Sequence, residues 1–210
     1  DLMRLFHRTF NKAKIPIGYS EGFNPHPKFS IANPLALGIE SDEEYIDIEL
    51  DNMEVEDFIE KMNLVLPKDV QIIEGKSIEK GETIDSLISW AHYEIEFELK
   101  ENIEGFGENL MKWLQRDEIN IDKIRRKKKK EIKRVENIRP LIGNLTVKEI
   151  HEKNVVLNTL LKAGSNGNLK PMDLVEAMNR DMELKIDLQS MDIRRTGQYA
   201  EKDNNIFKPL

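Results

Sequence analysis

Residues 91–99 alternate polar and apolar side chains without a break, and this pattern strongly limits the folds open to the chain. From residue 92 onward the order is His92, Tyr93, Glu94, Ile95, Glu96, Phe97, Glu98, Leu99. Successive side chains of a β-strand point to opposite faces, so the alternation predicts a strand with one buried face. A buried face needs a second layer of structure. The helical spacing of Phe106, Leu110 and Leu114 within 103–115 predicts a helix that supplies this layer.

The same two periodicities continue toward the C-terminal end. They predict a basic strand over 129–136, a strand over 154–162, a helix over 172–179 and a last strand over 184–190. With the strand at 91–99 and the helix at 103–115, the order becomes βαββαβ. This is the ferredoxin-like plan.

The first half of the chain repeats this order if a leading strand is supplied. Apolar spacing predicts helices over 1–14 and 55–66 and strands over 29–32, 44–50 and 70–74. We therefore expect an α+β fold of two tandem ferredoxin-like (βαββαβ) units, with the first strand missing from the given chain. The expected boundaries are 1–80 for an N-terminally incomplete first unit, 89–200 for the second unit and 201–210 for a C-terminal tail.

The segment 18–28 contains two aromatic residues, an imidazole, an ammonium group, two glycines and two prolines. Glycine admits positive φ and proline restricts φ, so the segment predicts a shaped loop with exposed polar tips. The candidate ligand-binding residues are Tyr19, Phe23, Asn24, His26 and Lys28. The alternative is a rigid connection whose aromatic residues fill the core, Phe23 more readily than Tyr19.

Several motifs together resemble a bacterial family linked to radical SAM proteins. They are Asp1–Arg4, Tyr19–Lys28, Pro34–Ser41 and Glu44–Ile48, with a looser fit at 138–142 and 193–197. Members of that family are fused to, or encoded beside, a radical SAM protein, often near ribonuclease E/G and ribosomal-protein genes. The resemblance implies a radical SAM partner that carries the iron–sulfur cluster and S-adenosylmethionine. It also implies that a strand precedes Asp1 in the family pattern.

Composition limits the chemistry that the chain can perform by itself. It has no cysteine among 210 residues, so its own thiolates cannot hold an iron–sulfur cluster. Four histidines lack the spacing of a metal site, and we expect neither a metal nor a cofactor bound by this chain. Charged residues make up 34% and no long apolar run is present, so no membrane association and a cytoplasmic location are expected.

A strongly basic run interrupts a chain whose net charge is −7. Residues 125–134 contain eight cations in ten positions. A single strand would place cations on both faces, so the run predicts an exposed loop or projecting hairpin suited to a phosphate backbone. The alternative is an edge strand that lysines protect from aggregation. The candidate RNA-binding cations are Arg126, Lys127, Lys128, Lys129, Lys130, Arg139, Arg194 and Arg195.

These features predict an RNA-recognition module or subunit that works with a radical SAM RNA-modification enzyme, on tRNA or ribosomal RNA, without catalytic activity of its own. Two alternatives stay open. A metal-independent RNA endonuclease would use His26 with Tyr19 or His7. A protein-docking scaffold would bind the radical SAM partner without contacting RNA.

Overall fold

The chain has a mixed α+β fold, seen in a computed structural model. The structure describes residues 2–78, 81–127 and 130–210, with the backbone alone at 124–127 and 130–132. None of the helices in these residues has the length and hydrophobicity that a bilayer-spanning segment requires. The elements divide between two compact units. Unit 1 comprises Asp1–Pro34, Tyr45–Leu87 and Lys208–Leu210, and unit 2 comprises Leu35–Glu44 and Ile88–Phe207.

The described helices are α1 (Leu2–Ala13), α2 (Val55–Asn63), α3 (Ile84–Leu87), α4 (Phe106–Leu114) and α5 (Pro171–Asp181), with a 3₁₀ turn at Arg139–Leu141. The described strands are β1 (Phe29–Ile31), β2 (Glu40–Ser41), β3 (Ile46–Ile48), β4 (Ile88–Leu99), β5 (Asn120–Lys127), β6 (Lys130–Asn137), β7 (Ile142–His151), β8 (Asn154–Lys162), β9 (Ile186–Lys202) and β10 (Asn205–Phe207).

Unit 1 is built around the apolar faces of α1 and α2. Phe6 and Phe10 of α1 and Met62 of α2 are buried in one cluster, because apolar residues recur on one side of each helix. The ring of Phe10 meets that of Phe29 edge to face, with centroids 5.1 Å apart. Phe29 opens β1, which pairs antiparallel with β3 in a two-stranded sheet. The helices predicted at 1–14 and 55–66 are thus confirmed with shorter bounds.

The strand predicted at 70–74 is wrong. The side chain of Asn63, at the end of α2, forms hydrogen bonds with both backbone groups of Ile72. Its Oδ1 accepts from the Ile72 N–H at 2.8 Å, and its Nδ2 donates to the Ile72 carbonyl at 2.9 Å. The Asn63 side chain thus pairs the backbone N–H and C=O groups of Ile72, which in a β-strand would bond to a neighbouring strand. Among its described residues, unit 1 has a sheet of only β1 and β3, and the tandem ferredoxin-like arrangement is not confirmed.

Unit 2 contains a sheet in which β9, β4, β8 and β7 are neighbours in that order, all antiparallel. With α4 after β4 and α5 after β8, the order of these elements is βαββαβ. The predicted alternation is confirmed, because Ala91, Tyr93, Ile95, Phe97 and Leu99 of β4 are buried, while His92, Glu94, Glu96 and Glu98 between them are at least partly exposed. Trp113 and Leu110 of α4 are also buried.

The second strand of this sheet differs from the predicted one. The prediction placed the basic segment 129–136 there, whereas the structure uses β7. Ile142 and Leu145 of β7 are buried, and a run carrying charge at nearly every position has no comparable apolar face. The basic segment forms a separate two-stranded sheet of β5 and β6, which is the projecting hairpin that was predicted as an alternative to a loop.

The observed units also depart from the boundaries at residues 80 and 200. Residues 35–44 belong to unit 2, because β2 pairs in parallel with β9 through Glu40 and Arg194 and through Ser41 and Arg195. Most of the expected tail 201–210 continues unit 2, since β10 pairs with the end of β9.

Candidate nucleic-acid-binding surfaces

Residues 18–28, which we call the Tyr19 hairpin, form a small antiparallel turn in unit 1. Tyr19 and Pro27 are paired across the turn. The Ser20 N–H donates to the His26 carbonyl at 2.9 Å, and the His26 N–H donates to Ser20 Oγ at 3.0 Å. Gly22 has φ of 129°, which side-chain-bearing residues rarely adopt. A glycine and a serine hydroxyl thus contribute to the shape of the hairpin together with its backbone hydrogen bonds.

A ring of backbone hydrogen bonds holds the base of the hairpin. The Gly18 N–H donates to the Glu49 carbonyl at 2.8 Å, the Glu49 N–H to the Lys28 carbonyl at 3.0 Å, and the Lys28 N–H to the Gly18 carbonyl at 2.7 Å. A Cβ on Gly18 would lie 3.2 Å from the Glu49 carboxylate, so a larger residue would crowd the ring. This base is what gives the exposed tip a defined direction.

All five predicted residues of the hairpin are accessible. Tyr19 is 46% exposed and Phe23 is exposed completely, and Asn24, His26 and Lys28 are exposed as well. The alternative in which Phe23 fills the core is therefore wrong. The reason is its place at the tip, after Gly22, where the chain turns away from the core.

Strand register divides the hairpin residues between two faces. Opposed residues of an antiparallel pair share a face, and neighbours along a strand alternate. Tyr19 therefore shares a face with buried Pro27, whereas His26 lies with Ser20 on the other face. By this register Tyr19 and His26 lie on opposite faces of the turn. His7 is exposed on α1.

Lys28 already has an anionic partner. Its Nζ lies 2.8 Å from Glu49 Oε1, and both side chains are about half exposed. The hydrogen bond and the charge of Glu49 raise the pKa of Lys28 above its ordinary value. A phosphate that approaches Lys28 must compete with this carboxylate.

The pair β5 and β6, which we call the basic ribbon, is anchored at its root and exposed beyond it. Ile119, Ile121 and Ile138 at the root are buried, and the Ile138 N–H donates to the Ile119 carbonyl at 2.7 Å. Farther out, Lys133 and Arg134 are exposed and Val135 is 63% exposed. The ribbon therefore extends away from the core of unit 2.

The register of the basic ribbon sorts its charges by face. Lys123 pairs with Arg134, Arg125 with Ile132 and Lys127 with Lys130, and these positions share the face that we call the cationic face. The opposite face holds Asp122 paired with Val135, Ile124 with Lys133, and Arg126 with Glu131. With Glu136 at the root included, the cationic face carries five cations and one carboxylate. The opposite face carries two cations and two carboxylates and is therefore neutral.

This arrangement corrects the faces expected from a single strand. The chain reverses between Lys127 and Lys130, so odd-numbered positions of β5 share a face with even-numbered positions of β6. Lys123 and Arg134 thereby join the cationic face, and Arg126 lies on the other. Lys128 and Lys129 lie outside the described residues, and for Arg126, Lys127 and Lys130 the description covers the backbone.

Arg139 follows the ribbon directly and is only partly exposed. Its Nε donates to the Leu114 carbonyl at 2.6 Å and one terminal nitrogen to the Ile142 carbonyl at 3.2 Å. It lines an open pocket of about 600 Å³ that also includes Met111, Arg116 and Asp117. The guanidinium is held rigidly at the ribbon root, with two of its donors already in use.

Arg194 and Arg195 have very different environments. Arg194 is 54% exposed and pairs with Asp42 at 2.8 Å. Arg195 is 2% exposed and donates to Glu44 through Nε at 3.0 Å and through a terminal nitrogen at 2.6 Å. Because Arg195 is buried and paired, the structure does not place it on an RNA-accessible surface. The strand pattern of β9 signals this, since adjacent residues of a strand face opposite sides.

Sequence reasoning also missed the buried polar cluster around Glu44. Gln198 is fully buried, with Nε2 3.5 Å from Glu44, and Ser41 Oγ donates to Glu44 as well. Burial raises the pKa of Tyr93, although Arg195 partly offsets this. The cluster joins residues 41–44 to β9.

The polar face of β4 is acidic and partly exposed. Glu94 pairs with Lys148, Glu96 accepts from Asn154 Nδ2 at 2.6 Å, and Glu98 is exposed. The described residues contain no group of three or more histidine, aspartate or glutamate side chains arranged to hold a metal. Lys148 neutralises Glu94, and the carboxylates of Glu96 and Glu98 repel phosphate.

The comparisons with known proteins identify a family. The chain belongs to a bacterial family described as uncharacterized protein conserved in bacteria (DUF2344), whose model matches residues 1–171. The match does not address a radical SAM partner, which stays a prediction.

No curated protein matches the chain. Among solved structures, a chain of the "Crystal Structure of a Cbf5-Nop10-Gar1 Complex" aligns with 15% identity and a TM-score of 0.38. The alignment covers 53% of this chain and 31% of that one, and carries no argument about function.

Proposed function

We propose that this chain is an RNA-recognition module or subunit that presents tRNA or ribosomal RNA to a radical SAM modification enzyme. The observation that carries the proposal is the one-sided charge of the basic ribbon. Five cations on one face, against a neutral opposite face, form a surface matched to a line of phosphates. Lysines that only protect an edge strand do not need to lie on one face.

The distribution of charge over the rest of unit 2 also favours the basic ribbon as the place where phosphates bind. The protein carries a net charge of −7, and the carboxylates of β4 occupy the polar face of the sheet. A polyanion is repelled there and attracted to the ribbon, because local fields dominate over net charge at contact distance. The ribbon, and not the sheet face, is therefore the proposed RNA surface.

The Tyr19 hairpin supplies a second type of contact in unit 1. Phe23 is fully exposed at its tip and Tyr19 is about half exposed. Unpaired bases stack on such rings. In this proposal the Tyr19 hairpin stacks on an unpaired nucleotide of the RNA, and the basic ribbon binds its phosphates.

The chemistry of modification is assigned to the partner. The chain has no cysteine, so an iron–sulfur cluster and the bound S-adenosylmethionine belong to another polypeptide or domain. The partner itself is proposed from the sequence resemblance. Affinity purification of the tagged chain from its native cell, with mass spectrometry to identify a copurifying radical SAM protein, is the direct check of that part.

The test of RNA binding is a salt titration. Replacing Lys127, Lys128, Lys129 and Lys130 with glutamine should weaken binding of every RNA sequence alike and flatten log K against log salt by about 0.7–0.9 per lost phosphate contact. The control replaces Lys61, Lys68, Lys100 and Lys112, four lysines outside the ribbon. An unchanged slope in the ribbon variant, or no RNA binding by the wild type, would favour the scaffold hypothesis.

A further inference from the structure

We infer that the cationic face of the basic ribbon binds the sugar–phosphate backbone of double-helical RNA, and that it recognises shape and charge instead of base sequence. This inference rests on the proposed function and specifies its substrate class. It depends on three observations: the types of residue that the ribbon lacks, the like-charge pairs in its register, and the distribution of its cations.

The first observation is that the ribbon has no stacking platform. Residues 116–139 contain no phenylalanine, tyrosine, tryptophan or histidine. Proteins that bind single strands combine cations with aromatic rings on which the bases stack. Without such rings, a single strand would have to be ordered with its bases unpaired and unstacked. In a duplex the bases are already paired and stacked, so a protein surface that contacts only phosphates does not need to supply stacking partners for them.

The second observation is that like charges oppose each other on the cationic face. Lys127 lies opposite Lys130 in the strand register, and Lys123 lies opposite Arg134, although Lys123 also forms an ion pair with Glu136. Directly opposed like charges destabilise an antiparallel pair, whereas the opposite face has the complementary pair Arg126 and Glu131. The like-charged register positions of Lys127 and Lys130 therefore favour a polyanion as the partner of this face. A dense polyanion is the best such partner, and a duplex, which carries phosphates on two strands, has a higher charge density along its axis than a single strand.

The third observation is that the cations lie in two rows on one side. Lys123, Arg125 and Lys127 recur every second residue of β5, about 7 Å apart, and Lys130 and Arg134 lie on the adjacent strand. Glu136 neutralises only the root, where it pairs with Lys123 at 2.9 Å. The face carries no asparagine or glutamine, the amides that read adenine edges. Arginine and lysine read guanine in a wide major groove, but the major groove of duplex RNA is too deep and narrow for side chains to read. The face therefore contacts phosphates along a rigid helix without selecting a sequence.

The chain offers a matched pair of variants for the test. Arg125→Gln with Lys130→Gln removes one arginine and one lysine from the cationic face, one on each strand. Arg126→Gln with Lys133→Gln makes the same charge change on the opposite face. The full chain and both variants are titrated by fluorescence anisotropy with two RNA duplexes of unrelated sequence and with an unstructured single strand of equal length.

We expect the wild type to bind both duplexes alike and at least about tenfold more tightly than the single strand. The cationic-face variant should lower the duplex salt slope by about 1.8, two contacts at 0.9 each, while the opposite-face variant leaves it nearly unchanged. Equal effects of the two variants, preference for the single strand, or strong preference for one duplex sequence would overturn the inference and leave the proposed function standing. Absence of binding to any RNA would overturn both.

Discussion

Glu44 and Arg195 are separated by 151 positions in the chain and form a buried ion pair within unit 2. The guanidinium donates from Nε and from a terminal nitrogen to the same carboxylate, and Arg195 is 2% exposed. A buried charge is tolerated only when it is paired and hydrogen-bonded. The pair therefore fixes residues 41–44 against β9 more firmly than the two-residue strand β2 does by itself.

Glu44→Ala should destabilise the protein by about 3 kcal/mol, because it leaves the buried guanidinium of Arg195 without its carboxylate. The matched control is Asp42→Asn, which breaks the exposed pair with Arg194 and should cost less than about 1 kcal/mol. Urea unfolding followed by circular dichroism measures both. Similar midpoints for the two variants would mean that the buried pair contributes no more than a surface pair.

Phe23→Ala should reduce affinity for RNA with unpaired nucleotides by about 1–3 kcal/mol, the usual range for one base stacked on an aromatic ring. Stability should not change, since the ring is fully exposed. Leu37 is equally exposed and not aromatic, so Leu37→Ala is the control for loss of apolar surface. Anisotropy titrations of a stem–loop RNA compare them, and an equal loss in both variants would argue against stacking.

Wild-type protein should leave RNA intact in the presence of a chelator, and His26→Ala should lose at most part of its affinity. The backbone N–H of residue 26 still donates to Ser20 Oγ in the variant, so the hairpin is retained. Denaturing gels of labelled tRNA after long incubation give the readout. Cleavage by the wild type that disappears in His26→Ala would establish the endonuclease alternative in place of the binding module.

Stability should fall as pH is lowered below about 6.5, in part because of His92. Burial lowers the pKa of His92 from its ordinary value, with Glu94 opposing the shift, and Nδ1 lies 2.6 Å from Thr196 Oγ1. The unfolded chain therefore binds a proton at higher pH than the folded one. The stabilising contribution is present above the unfolded pKa and is lost as pH falls toward the folded pKa.

The variant that isolates this effect is His92→Gln, which removes the titrating ring and keeps a polar side chain opposite Thr196. The loss of unfolding free energy between about pH 7.5 and pH 5 should be smaller in the variant than in the wild type. Carboxylates that do not interact with His92 titrate equally in both proteins and cancel in the difference, whereas Glu94, which does interact with it, contributes to the measured effect of His92. If the free energy of unfolding fell equally with pH in both proteins, His92 would contribute nothing to the acid sensitivity.

The sequence by itself determined the local elements. The alternation at 91–99, the helical spacing in α1 and α4 and the strand over 154–162 are all present in the structure, because each pattern is set by residues a few positions apart. The exposed polar character of the Tyr19 hairpin could also be predicted, since glycine and proline act on their own backbone.

Only the tertiary structure decided what depends on distant residues. The strand that pairs with β8 is β7 and not the predicted basic segment. The antiparallel pairing of β5 with β6 places five of the cations on one face of the ribbon. The same pairing buried Arg195 against Glu44 and left Arg194 exposed. A register shift of one residue exchanges the faces of a strand, so the position of these charges depends on long-range pairing that local periodicity does not contain.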